Sequence, residues 1–219
     1  MNLWNEFLSN QEGDVIHKWH HYFPIYERHF SPWRGRSLTF LEIGVQNGGS
    51  TQMWRRYFGP LATIIGIDIE PKCKRVERDG IHIRIGDQSD STFLTKLIDE
   101  FGIPDVVLDD GSHNSTHVRK TFNFLYPRMG KNAVYLIEDM QAAYHPVWDG
   151  GIDNPNSFIN HTKSLIDDLH AFHRKVSAPD YISKETFGIH FYDSVICFEK
   201  GNMSERSHSR IGKTKDELF

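Results

Sequence analysis

The densest chemistry in the sequence lies in two acidic pairs, Asp109-Asp110 at the head of DDGSH and Glu138-Asp139 in IEDMQ. Each pair closes an apolar run, DVVLDD over Asp105–Asp110 and AVYLIED over Ala133–Asp139, with the length and composition of a buried strand. If the two strands are neighbours, four carboxylates meet at one rim, and like charges that close need a counter-charge. A divalent cation held by oxygen ligands meets that need. Carboxylates with room for water suit Mg²⁺ better than Zn²⁺, and neither pair has a cysteine beside it. The competing arrangement has one acid of each pair capping the next helix or bonding backbone amides, which leaves too few ligands. His113 follows Asp110 across a Gly-Ser turn, titrates near neutral pH and is available as a general base for a hydroxyl acidified by such a cation. The alternative for it is a structural histidine, and His117, a helical turn further on, reads as a solvated or capping residue.

The elements that must position these groups begin at Leu38–Gly49, LTFLEIGVQNGG, which reads as strand, glycine turn and helix, with Glu42 and Gly44 at the strand end and Ser50 as helix cap. The next apolar run, Thr63–Glu70, ends in Asp68 and Glu70, where the ribose of a nucleotide would offer two hydroxyls. A cofactor carrying adenosine is the first expectation. Ile81–Asp87 reads as a third strand bringing Asp87 and Gln88 to the same edge, to contact an adenine or, equally, to cap the helix of Ser91–Phe101. Strand and helix then alternate, which predicts an α/β fold: a doubly wound, mostly parallel seven-stranded sheet that binds ligands beyond its carboxyl edge. Phe187–Tyr192 and Ser194–Lys200, flanking Asp193, read as an antiparallel hairpin closing it. Ahead of the first strand, Ile16, Trp19, Phe23 and Phe30 recur at helical spacing over Asp14–Phe30, which predicts a broken helix interrupted by Pro24. Its aromatics, Tyr22 among them, form either an amphipathic face or part of the pocket wall, and Tyr22 is a candidate substrate contact. The Gly-, Pro- and Asn-rich stretch Met140–Asn156 is too long for an idle connection and reads as a lid or substrate loop, with Tyr144 as its candidate contact.

The 219 residues suit one domain over 1–200 with a short helical leader, followed by a polar tail over 201–219 that frays or meets another chain. A net charge of −4 with no long basic block gives no footprint for nucleic acid, and no apolar run is long enough for a membrane span. A small-molecule partner is the default. No secretory signal is visible, and Cys73 and Cys197 lack metal-ligand spacing, which points to the cytoplasm and reduced thiols.

Taken in order, the HHY segment at His20–Tyr22, LEIGVQNGGST, GIDIE, GDQSD, DDGSH and IEDMQAAY make the chain similar to class I S-adenosylmethionine-dependent methyltransferases. More narrowly, it resembles the metal-dependent sugar O-methyltransferases of macrolide biosynthesis, with rhamnosyl O-methyltransferases and cephalosporin hydroxylase-like proteins as relatives. The resemblance implies S-adenosylmethionine and Mg²⁺ as cofactors. It assigns Glu42 and Gly44 to the methionine end of the former, Asp68 to its ribose, Asp87 and Gln88 to its adenine, and Asp109 to the cofactor side. It implies Asp110, Glu138 and Asp139 as magnesium ligands, His113 as base, and a glycoside or glycan hydroxyl as acceptor. Gln46 departs from the middle glycine of E-x-G-x-G-x-G. The macrolide enzymes also carry an added N-terminal domain that helps build the oligomer and substrate site, whereas this chain reads as having only a short leader, so the acceptor does not carry over and a homo-oligomer stays open. Another diol such as a catechol remains an alternative acceptor. A nicotinamide-dependent oxidoreductase is the rival class, disfavoured by the missing G-x-G-x-x-G, and a cofactor-binding subunit without catalysis is the non-enzymatic one.

Overall fold

The computed structural model describes residues 2–174, 180–203 and 207–212. Its frame is a seven-stranded sheet ordered β3-β2-β1-β4-β5-β7-β6. Strands β1 (Leu38–Ile43), β2 (Ala62–Asp68), β3 (Ile81–Ile85), β4 (Val106–Asp109) and β5 (Val134–Ile137) are parallel, and β7 (Val195–Lys200) runs antiparallel between β5 and the edge strand β6 (Thr186–Tyr192). The order reverses between β1 and β4, so the crevice at their carboxyl ends is the switch point where ligands of such sheets collect.

Helices cover both faces. Phe40, Ile64, Leu108, Leu136 and Cys197 face α1 (Leu3–Leu8), α2 (Tyr22–Phe30) and α3 (Gly49–Phe58), with Tyr26, Phe30 and Trp54 fully buried between them. Leu41, Ile65, Val107, Tyr135 and Phe198 face α4 (Ser91–Phe101), α5 (Ser115–Leu125) and α6 (Phe158–Leu169). The short α7 (Tyr181–Glu185) leads into β6, and Asp193-Ser194 turn the hairpin, with Ser194 at φ 62°.

Two local expectations are corrected. The leader is not helical from Asp14: residues 10–21 form turns and irregular chain, and the helix starts at Tyr22. Pro24 marks the start of α2 rather than an interruption, because in the first turn its missing N–H is no loss, whereas a helix begun earlier would clash there with the carbonyl of His20. At α3 the cap is Gly48 in the left-handed region, not Ser50, since a glycine adopts φ 83° without penalty. Of the expected tail, 204–206 and 213–219 lie outside the described residues, while Ile211 is exposed and 207–212 form no helix or strand. No described helix is long and apolar enough to cross a membrane.

Candidate active site

Strand parity decides which acids meet. Side chains alternate between the faces of a sheet, and Glu42 shares its face with Phe40, as does Glu138 with Leu136, toward α2 and α3. Asp109 shares parity with Val107 and turns to the opposite face. There it is buried, accepting from Gln88 Nε2 (3.1 Å), Tyr135 Oη (3.3 Å) and the Gly111 amide (3.3 Å). Burial pushes its carboxyl up to about 6. The expected meeting of four strand-end carboxylates at one rim is thus corrected to a different set: Glu42, Asp110, Glu138 and Asp139.

The counter-charge is Lys18. From the irregular leader its side chain, 3% exposed, reaches over the rim to hydrogen-bond Asp110 and Glu138 Oε1 (2.6 Å), with Glu42 Oε1 at 4.0 Å. Burial alone would lower its pKa, but Asp110, Glu138 and Glu42 outweigh this and hold the ammonium above its ordinary value. Glu138 is further engaged by the Tyr26 hydroxyl. Burial and the neighbouring Asp110 raise its pKa well above that of an ordinary carboxylate, against the pull of Lys18. Sequence reasoning missed Lys18, although it is the first Lys or Arg of the chain and precedes HHY closely; the cue was a lone cation in an aromatic leader facing an acid-rich sheet.

Glu42 is fully buried; Oε1 accepts from the Trp54 indole (3.0 Å), and Oε2 has no hydrogen-bond partner. Burial pushes this carboxyl up to about 7, against the opposing pull of Lys18. Next to it, Gly44 at φ 92° admits no side chain, since a Cβ would stand 2.0 Å from the Asp110 carbonyl oxygen. Asp68 Oδ2 clamps the turn by accepting from the amides of Val45 and Gln46 (both 2.9 Å), while Oδ1 accepts from that of Glu70 (2.9 Å). Burial would raise its pKa, but these amides hold it below the ordinary carboxylate value. Gln46, in place of a glycine, takes φ 50°.

Two cavities open along this edge and share Gly44, Asp68 and Gly111. One, of about 190 Å³, has apolar walls from Ile43, Ile67 and Ile69, with Asp87, Gln88 and His117 at its polar end. His117, read from sequence as solvated or capping, instead lines this cavity, its Nδ1 3.1 Å from Ser112 Oγ. The cap of α4 is Asp90, whereas Asp87 accepts from the Ser89 amide (2.7 Å). The other cavity, of about 300 Å³, is lined by His17, Gln46, Glu70, Asp110, His113 and Asp139 among others.

In that second cavity His113 Nε2 lies 3.7 Å from Asp139 Oδ2 and 3.9 Å from Asp110 Oδ1, and the three ligand atoms fall within 4.8 Å of one another. Both His113 and Asp139 have φ 55°, so three of the six described non-glycine residues with positive φ, Gln46 included, line this one cavity. Strain gathered in this way marks a site whose geometry is imposed by its surroundings. Tyr22 is fully buried and donates to Asp139 Oδ1 (2.7 Å), so it orients an acid rather than offering a surface to a ligand, which corrects its assignment as a substrate contact. Burial would raise the pKa of Asp139, but the hydrogen bonds from Tyr22 and Gln141 and the nearby His113 keep it below its ordinary value. Tyr144, the expected substrate contact, lines a separate groove with Phe191 and Ile196, outside the two cavities described above. The loop instead brings Trp148 edge-on to His113, at 5.9 Å between ring centroids, and anchors itself through Asp149 Oδ2, which accepts from Asn114 Nδ2 (2.9 Å) and Thr116 Oγ1 (3.1 Å).

No protein-family profile matches the chain. Among curated proteins it is 35% identical over 212 residues to an 8-demethyl-8-alpha-L-rhamnosyl tetracenomycin-C 2'-O-methyltransferase of Streptomyces olivaceus, covering 91% of this chain and 55% of that protein. It is 36% identical over 201 residues to mycinamicin VI 2''-O-methyltransferase of Micromonospora griseorubida, covering 85% and 49% respectively. The chain therefore spans about half the length of the curated relatives it matches. The MycE methyltransferase in complex with Mg, SAH and mycinamycin VI superposes with a TM-score of 0.82 at 34% identity, over 92% of this chain and 54% of that one. The chain has the class I methyltransferase fold and, over the half that it shares with them, is homologous to sugar O-methyltransferases of glycosylated antibiotics.

Proposed function

We propose that this chain forms the catalytic part of a magnesium-dependent O-methyltransferase that transfers the methyl group of S-adenosylmethionine to a sugar hydroxyl of a glycosylated natural product or glycan. The observation that carries this reading is the convergence of His113 Nε2 with the Asp110 and Asp139 carboxylates within 4.8 Å, at the mouth of a cleft that continues past Asp68. Relatives named as methylating sugar hydroxyls of tetracenomycin and macrolide compounds, and MycE described with Mg and SAH, support it.

The residues present fit both groups. For the cofactor, the unpartnered Glu42 Oε2 is an acceptor buried behind the glycine turn, suited to an amino group. Gly44 leaves the backbone bare, Asp68 faces a ribose, and Asp87 and Gln88 close an apolar slot for a flat base. Asp109 acts through Gln88, fixing its amide. For the metal, Asp110 and Asp139 present hard oxygen donors to an open cavity, a donor set that suits Mg²⁺. Glu138 would be the third ligand on this reading, its Oε1 being the oxygen that Lys18 holds at present. Bound S-adenosylmethionine would supply an electrophilic methyl group, and Mg²⁺ would acidify the acceptor hydroxyl. His113 accepts the hydroxyl proton at Nε2, and the ionised Asp139, held by Tyr22, stabilises the resulting imidazolium. Lys18 compensates the acids of the rim where no metal is bound, Tyr26 donates to Glu138, and Trp148 shields the base from water on the loop side.

On this reading residues 1–200 act as one catalytic domain with 201–219 as a polar tail, the acceptor is a small molecule rather than a nucleic acid, and the site of action is the cytoplasm. Calorimetric titration with S-adenosylhomocysteine and with NAD, each with Mg²⁺ and with a chelator, followed by a labelled-methyl screen of glycosides and catechols, tests it. Binding of the homocysteine product and magnesium-dependent labelling of a glycoside are expected. Binding of NAD alone, or labelling that ignores chelation, would overturn it.

A further inference from the structure

A second cluster of ligating side chains lies outside the cleft, where the last turn of α2 meets the edge hairpin. His29 Nδ1 lies 2.9 Å from Glu199 Oε1, and His190 Nε2 lies 3.0 Å from Glu199 Oε2. The three ligand atoms fall within 4.8 Å of one another, and the two imidazole rings pack edge to face at 4.9 Å between centroids. Each comes from a different element, α2, β6 and β7, so the cluster exists only in the assembled fold.

We propose that His29, His190 and Glu199 form a binding site for a transition-metal dication of the zinc class, separate from the acid rim. Two imidazoles and one carboxylate are the donors Zn²⁺ takes, whereas Mg²⁺ prefers oxygen alone. Around a tetrahedral ion with bonds of about 2.0–2.1 Å, ligand atoms stand roughly 3.3–3.4 Å apart, a spacing that lies between the two His–Glu199 contacts of 2.9 and 3.0 Å, made to separate carboxylate oxygens, and the 4.8 Å within which the three ligand atoms fall. Tyr192 Oη, 2.9 Å from His29 Nε2, is a hydroxyl able to donate or accept. It therefore suits the tautomer that leaves Nδ1 bare, the outer-shell arrangement typical of metal-bound histidine. Burial lowers the pKa of His29 below its ordinary value and so favours the neutral, ligating ring. Two of the cations near the cluster are engaged elsewhere: Arg28 is turned to Tyr192 Oη (3.4 Å), and Lys200 is bonded to Glu185 and to the carbonyls of Tyr126 and Met129, while Arg36 and Lys131 line the same cavity. A cavity of about 890 Å³ lined by His29 and Glu199 gives access and room for water as a fourth ligand. Metal here would pin the edge strand to the helix that also holds Asp139 and Glu138.

The chain, stripped with chelator and then saturated with Mg²⁺, is titrated with Zn²⁺ by calorimetry and with Co²⁺ by visible absorption. One Zn²⁺ per chain and a tetrahedral cobalt spectrum are expected, with a raised melting temperature. His190→Gln and Glu199→Gln should each weaken Zn²⁺ binding by roughly tenfold or more, leaving Mn²⁺ binding at the acid rim unchanged. His190 is 36% exposed and its replacement is tolerable to the fold; circular dichroism checks both variants. No Zn²⁺ binding, binding that survives both substitutions, or binding lost only in His113→Ala would overturn the proposal.

Discussion

One face of α2 carries Tyr22, Tyr26 and His29, and the helix runs back along β5 so that each meets a different partner: Asp139, Glu138 and then Glu199, the residue paired with Val134 at the start of β5. At the tyrosine end the partners are carboxylates on tight loops beyond the parallel strands, two of the lining residues are held at φ 55°, and a buried lysine completes the charge balance. At the histidine end the partners sit on the antiparallel strands β6 and β7, partly open to solvent, with imidazole rings in place of a lysine. The contrast separates two ways of holding acids on one helix. The rim concentrates like charge and strain where a cleft opens, and its acids depend on buried donors, Lys18 shared by Asp110 and Glu138, Tyr26 on Glu138 and Tyr22 on Asp139. The hairpin cluster shares one carboxylate between two rings and costs the fold little.

The largest expected effect breaks the rim at its base. His113→Ala should lower methyl transfer by a factor on the order of 10²–10⁴ while leaving S-adenosylhomocysteine affinity unchanged in a calorimetric titration; full activity would remove the rim as the chemical centre. Next comes Lys18→Met, which leaves the acids around it without their cation. In chelator this should cost about 3–5 kcal/mol of stability in denaturant melts, and Mn²⁺, followed by electron paramagnetic resonance, should bind more tightly because its competitor is gone. An unchanged midpoint and affinity would show that Lys18 is not the counter-charge. Tyr26→Phe removes one donor from buried Glu138 and should cost about 1–3 kcal/mol, whereas His190→Gln, on the half-exposed cluster without added zinc, should cost about 0–1 kcal/mol. Equal costs would erase the contrast between the two ends.

The smallest effect calibrates histidine burial away from both clusters. His161 on α6 has its Nε2 buried without a partner, and burial pushes its pKa down to about 4. The ring is neutral in the fold but takes a proton in the unfolded chain below about 6.5. Its contribution is therefore fully present above that pH and declines as pH falls toward 4. His161→Gln should flatten that acid limb in a pH series of melts; an unaltered slope would place the titrating group elsewhere.

Much of the site was open to sequence reasoning because strand tips and turns are local. Asp68, Asp110, Glu138 and Asp139 stand at strand ends that apolar runs and glycines announce, and His113 follows across a turn that short sequence defines. Asp109 could have been separated from Asp110 on parity alone, since adjacent residues at a strand end face opposite sides. A loop's composition says that it is long without saying which of its residues meets the cavity: the structure brings Trp148 against His113 and sets Tyr144 in a separate groove.

The amino-acid sequence by itself determined the alternation of strand and helix, the acidic carboxyl edge and the glycine turn, because period and φ restrictions act over a few residues. Only the tertiary structure decided that Lys18 neutralises the rim, that Tyr22 serves Asp139 instead of a ligand, and that His29 meets His190 and Glu199. Those contacts join residues far apart in the chain. They depend on where α2 and its leader dock on the sheet, which the burial of Tyr26, Phe30 and Trp54 against one another sets.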